Sequence, residues 1–185
     1  MVDPSKFTNY NCSDKELEER FLFCIFVAGK PAFRTARQLE EFLNGTSKPL
    51  QKVFSMLDNN TLLKNLKKYG FGQYSKLERC FKELKKANLN LKTCSVDDLE
   101  KIHGIGPKTS RFFIVHTRPN QKLAILDVHV LRYLRENCNV KTPKTTPSKV
   151  AYKKIEQKFI EIAEKEKRDI AEFDLWIWNK YAIKS

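Results

Sequence analysis

The sequence predicts an all-α fold of about ten helices, one domain of two helical lobes flanking a cleft. Three observations carry this. Apolar residues return at three- and four-residue spacing along most of the 185 residues. No segment sustains the period-two alternation that a half-buried strand needs. The breaks between apolar runs hold helix caps and stops: Ser, Asp or Asn ahead, Gly, Asn or Pro behind.

The elements follow in order. Ser13 and Glu16 have capping-box spacing, so a helix starts there and runs to about Ala28, where Gly29-Lys30-Pro31 breaks it. A second runs from Ala32 to Leu43 and stops at Asn44-Gly45. Pro49 suits the first turn of a third, through Leu57. Asn60 is the expected cap of a fourth, ending at Gly70, and Leu77, Cys80, Phe81 and Leu84 mark a fifth over Tyr74 to Ala87. Ser95 opens a short helix with Val96, Leu99 and Ile102 on one face, ending at Gly104. Pro107 begins the next, which stops near Pro119. After the apolar Leu123 to Leu126, Asp127 starts a helix through Glu136. The polar stretch "KTPKTTPS" over 141–148 reads as a linker. A long helix from Pro147 to about Lys167 and a last one capped by Asp169 complete the chain.

Charge narrows the partner. There are 35 Lys+Arg against 22 Asp+Glu, a net charge of +13, which favours a polyanion through attraction and counterion release. No apolar run approaches the roughly 20 residues of a membrane span. The five scattered cysteines form no CxxC or Cys/His cluster, so neither a metal site nor a disulfide framework is expected, and a reducing, intracellular setting fits. Cys24, in an apolar run, reads as a packing residue.

The stretch "KIHGIGPKTS" (101–110) joins two helices by a tight hairpin. Gly104 can take the positive φ of a helix exit, and Gly106, without a side chain, lets another surface approach the backbone. Ile105 anchors the hairpin in the core. Outward amides at a helix start make an anion site, here for a DNA phosphate. Arg111, one turn on from Lys108, reads as a further phosphate contact. The plainer alternative is a helix–helix turn that needs glycine for geometry alone.

Ile102-His-Gly-Ile-Gly-Pro-Lys108 resembles the helix-hairpin-helix motif of the endonuclease III superfamily of DNA glycosylases, placed here at about 95–118. Leu126-Asp-Val-His-Val130 resembles that superfamily's second signature, and the nineteen positions from Lys108 to Asp127 match its bifunctional members. Residues 23–28, Tyr69-Gly70, Tyr74-Ser-Lys76 and Asp174-Leu-Trp-Ile-Trp178 look similar to the short archaeal-type 8-oxoguanine DNA glycosylases. The cluster-bearing branch is excluded, since only Cys138 lies beyond Asp127.

The resemblance implies a monomer that removes an oxidised purine, 8-oxoguanine first, from double-stranded DNA, with no cofactor, metal or membrane. Lys108 becomes the amine that displaces the base and forms an imine with the sugar. Desolvation under bound DNA and the helix start favour its neutral form. Asp127 becomes the carboxylate that stabilises the cationic sugar. Trp178 matches the position that stacks on the extruded base, and Trp176, two residues away, points elsewhere on the helix. Only one of the two can face the cleft, the other being core. Asp174 lies one turn before Trp178 and is expected to meet the base. His129 matches a position near the active site, and Lys184 the lysine that recognises the lesion. His103 and His116 carry no argument. Gly29 and Lys30, where the family fills the gap left by the base with a polar residue, and Gln73, near an expected aromatic partner of the base, depart from the pattern. Two other readings stay open: a non-catalytic DNA-binding module, and a glycosylase for another modified base.

Overall fold

Ten α-helices and one short 3-10 turn (Pro4–Lys6) make up the computed structural model, which describes residues 2–182. No strand occurs among the described residues. The helices are α1 (Asp14–Phe26), α2 (Ala32–Leu43), α3 (Pro49–Asp58), α4 (Leu62–Lys68), α5 (Tyr74–Ala87), α6 (Val96–Glu100), α7 (Pro107–Thr117), α8 (Val128–Asn137), α9 (Lys149–Lys165) and α10 (Ile170–Ala182).

Local chemistry sets most boundaries. Ser13 and Glu16 form the predicted capping box: the Glu16 amide donates to Ser13 Oγ at 3.3 Å and the Ser13 amide to Glu16 Oε2 at 2.9 Å. Asn44 and Asn88 close α2 and α5 in the left-handed conformation. Asn60 is a correction. It does not cap α4. It stands at φ 54°, and the Thr61 amide after it donates to Met56 O at 2.8 Å. The chain reversal between α3 and α4 needs a left-handed residue, and asparagine supplies it. The 141–148 stretch is not a loose linker: Arg135 Nη1 donates to Thr142 Oγ1 at 3.0 Å and to Pro143 O at 2.7 Å.

Two compact units divide the chain. One holds residues 2–4 and Asn11–Gly106; the other holds Ser5–Tyr10 and the chain from Pro107 on. The first is built on phenylalanine. Phe26 stacks on Phe71 at 4.1 Å between centroids and meets Phe42 and Phe81 at 5.9 and 5.6 Å. Cys24 is buried there, and all five cysteines are free thiols. In the second unit α8, α9 and α10 enclose Leu131, Leu134, Phe159, Phe173 and Ile177, all at most 1% exposed. The segment Ser5–Tyr10 joins this core: Phe7 stacks on Phe112 at 4.6 Å, and the Asn9 amide donates to His116 O at 2.9 Å.

Candidate active site

The hairpin is built from short-range contacts. The Ser95 amide donates to Asp98 Oδ2 and the Asp98 amide to Ser95 Oγ, both at 3.1 Å, which starts α6. Ile102 and Ile105 are buried, and the Ile105 amide donates to Ile102 O at 3.1 Å. Gly104 has φ 89°, and an added Cβ would sit 3.1 Å from Lys76 Cε. Gly106 differs: an added Cβ there meets no heavy atom within 4 Å. Neither a positive φ nor a crowded neighbour therefore accounts for glycine at position 106. An open cavity of about 460 Å³ lies against both glycines, with Lys76, Arg79 and Lys101 on its wall alongside Glu83 and Glu100. Glu83 Oε2 accepts the His103 amide at 2.7 Å, and Arg79 Nε donates to Glu83 Oε1 at 2.9 Å. These bonds hold the Glu83 carboxyl below the usual range, the His103 amide acting most strongly.

The second unit carries Lys108 and Asp127. Lys108 is the second residue of α7, half-buried, with Nζ 5.3 Å from the centroid of Phe112. Asp127 is the N-cap of α8. Its Oδ1 accepts the His129 and Val130 amides at 2.8 and 2.9 Å. His129 itself is half-buried.

Asp174, expected to meet the base, stands in a buried hydrogen-bonded network. It is 5% exposed, and its Oδ2 lies 3.1 Å from His116 Nε2, whose ring is fully buried. Thr8 Oγ1 stands 2.8 Å from the other ring nitrogen. Burial pushes the Asp174 carboxyl above its ordinary range, and the hydrogen bond and charge of His116 oppose that shift. Two further charges act on the same carboxyl: Asp127 raises it and Lys108 lowers it. Lys108, Asp127 and Asp174 thus share one electrostatic neighbourhood.

Two expectations are corrected. Arg111 is not a free phosphate contact. It is 6% exposed; its Nε donates to Glu156 Oε1 at 2.6 Å and its Nη2 to Glu156 Oε2 at 3.2 Å. One turn past Lys108 the helix faces the interior, so the guanidinium needs a carboxylate there. Neither tryptophan is core: Trp176 is 42% exposed, Trp178 is half-buried, and Ile177 between them takes the buried position. Trp176 lies between Arg168 and Lys180, at 4.7 and 5.1 Å from its ring. Lys184 falls outside the described residues. Among the described residues no group of three or more His, Cys, Asp or Glu could hold a metal ion, and no helix is long and apolar enough to cross a membrane.

Sequence reasoning missed His116, Tyr152 and Glu156. A signal was present for the last: Glu156 stands inside the apolar stripe Tyr152, Ile155, Phe159, Ile160 and Ala163 of α9. A charge in such a stripe needs a buried partner.

Comparison with known proteins gives a consistent result. The 8-oxoguanine DNA glycosylase family profile matches residues 3–168. The 8-oxoguanine DNA glycosylase/AP lyase of Methanocaldococcus jannaschii is 30% identical over 177 residues, covering 91% of this chain and 81% of that protein. A crystal structure of the 8-oxoguanine glycosylase/lyase from the same organism, in complex with 15mer DNA containing 8-oxoguanine, superposes with a TM-score of 0.70 at 25% identity. That match covers 96% of this chain and 86% of the other. With its hairpin glycines and its Lys108–Asp127 spacing, the chain belongs to the 8-oxoguanine DNA glycosylase family.

Proposed function

We propose that the chain is a bifunctional DNA glycosylase and abasic-site lyase that excises an oxidised purine, 8-oxoguanine first, from double-stranded DNA. The observation that supports the reading is that Lys108 at the start of α7 and Asp127, the N-cap of α8, belong to one compact unit, and that both charges act on the buried Asp174 carboxyl. Family membership supports the substrate class.

The neutral Lys108 amine attacks C1′ of the damaged nucleotide as the C1′–N9 bond breaks. The base leaves with the bonding pair and takes up a proton. Positive charge that builds on the sugar is opposed by Asp127, whose orientation is fixed by two α8 amides. The amine adduct loses a proton and opens the sugar to an imine. Loss of a C2′ proton then expels the 3′-phosphate by β-elimination, which cuts the strand. No cofactor is needed, because the chain supplies both nucleophile and counter-charge. Both belong to one unit of one chain, which supports a monomer, and a DNA substrate supports action inside the cell.

Recognition falls to groups around these two. Trp178 offers a half-buried aromatic face to an extruded base, His129 is half-buried next to Asp127 and can reach the nucleotide, and Asp174 acts through its buried charge, with Lys184 assigned to the lesion from the sequence resemblance alone. Gly104 and Gly106 present the hairpin backbone to a phosphate, with Lys76, Arg79 and Lys101 adding positive charge.

Borohydride reduction tests the reading. Wild-type protein mixed with a duplex holding one 8-oxoguanine should give a covalent protein–DNA adduct, and Lys108→Gln should give none while still binding. A wild-type protein that binds the duplex yet never traps, over a panel of modified bases, would leave a DNA-binding module instead. Affinity should also fall steeply with salt.

A further inference from the structure

We propose that Tyr152 and Glu156 of α9 are positioning residues that set where Asp127 stands relative to Lys108; the proposal rests on the functional reading above. The two lie four residues apart on one helix face and are 1% and 8% exposed. Between them they hold the chain on both sides of the reaction.

On the lysine side, Glu156 accepts from Arg111 Nε and Nη2, and Arg111 Nη1 donates to Pro107 O at 3.3 Å. That carbonyl belongs to the peptide bond leading into Lys108. The Arg111 guanidinium also lies 4.8 Å from the Tyr152 ring centroid. On the aspartate side, the chain before Asp127 is buried and has no strand beside it. Its polar groups still need partners. The Ala124 amide donates to Glu156 Oε1 at 2.9 Å, Tyr152 Oη donates to Ala124 O at 2.8 Å, and the Leu126 amide donates to Tyr152 Oη at 2.9 Å. Two α9 side chains thus do for residues 124–126 what a neighbouring strand would do in a sheet. Leu126 directly precedes Asp127, so the hold reaches the backbone of the carboxylate itself.

Glu156 Oε1 is the junction: one oxygen accepts from Arg111 on the lysine side and from Ala124 on the aspartate side. A shift of either helix start is therefore felt at the other. A misplacement of about 1 Å in reacting groups can cost about 100-fold in rate.

The test is single-turnover excision by Tyr152→Phe and Glu156→Gln, with duplex affinity measured in parallel. Each should lose about 10- to 100-fold in excision rate while affinity changes by less than about threefold. Amide exchange at Leu126 should speed up in Tyr152→Phe. In an Asp127→Asn background the same substitutions should cost less than about threefold, because the group they position is already disabled. A merely structural role would cost the same in both backgrounds, and that result overturns the proposal, as does wild-type excision by both variants. Should Glu156→Gln fail to fold, Tyr152→Phe, which removes one oxygen, decides alone. A wild-type protein that excises no modified base sinks the functional reading, and this proposal with it; an active wild type with indifferent variants sinks only the positioning role.

Discussion

The two units solve burial differently. In the first, the interior among the described residues is apolar apart from Thr35, and charges stand at the surface in capping boxes and exposed pairs such as Lys92–Asp14. The second, among the described residues, buries Arg111, Glu156, His116 and Asp174 along with Thr109, Ser110 and Thr117. Burying charge costs several kcal/mol per ion before pairing offsets it. A fold seeking stability alone would use hydrophobic residues there, as the first unit does. The cost is borne in the unit that carries Lys108 and Asp127, and under the proposed function it has a use there, since fixed dipoles in a dry interior would strengthen electrostatic action on a charged transition state.

The contrast can be broken most severely at the reactive end. Asp127→Asn should slow single-turnover excision by about 100- to 1000-fold while duplex affinity holds. Next comes stability. Arg111→Ala strands the buried Glu156 carboxylate and should cost about 3–5 kcal/mol in urea denaturation, whereas Lys92→Ala, at an exposed pair, should cost at most about 1 kcal/mol. Equal costs would erase the distinction between the units.

The hairpin glycines sharpen it further. Gly104→Ala meets a positive φ and the Lys76 side chain, and should destabilise by about 1 kcal/mol or more. Gly106→Ala meets neither, so its thermal midpoint should hold while affinity for duplex DNA drops. A Gly106→Ala protein with unchanged affinity would remove the hairpin from the DNA interface.

The smallest effect is in pH, and its sign differs between two carboxyls of the first unit and the buried Asp174 of the second. Glu83 and Asp98 have lowered carboxyls, held down by hydrogen bonds from the His103 amide and from Ser95. Their contribution is present above the unfolded value near 4 and lost as pH falls through the folded one. Asp174 is raised by burial, so its contribution is present below the unfolded value and lost as pH rises through the folded one. In urea denaturation across acid pH, the deficit of Glu83→Gln against wild type should shrink on acidification. The deficit of Asp174→Asn should shrink as pH rises.

What the sequence made legible was local. Ser13, Ser95, Asp127 and Asp169 each cap the helix expected of them, because a cap is decided by residues two or three positions away. The hairpin was readable for the same reason. Arg111 was not, because its partner Glu156 lies 45 positions on, and no periodicity encodes such a pairing. His116 and Asp174, 58 apart, were hidden likewise. The tryptophans misled through helix geometry: residues two apart do point to different sides, but Ile177 between them takes the buried side and both tryptophans keep some contact with solvent.

The stitching of Ser5–Tyr10 into the second unit has a consequence for synthesis. Residues 11–106 are contiguous and can fold as they leave the ribosome, while Phe7 and Thr8 wait for partners, Phe112 and His116, translated about a hundred codons later. An excised fragment starting at Pro107 would lack the hydroxyl that meets the His116 ring, so the half that holds the amine and the carboxylate cannot be cut free intact.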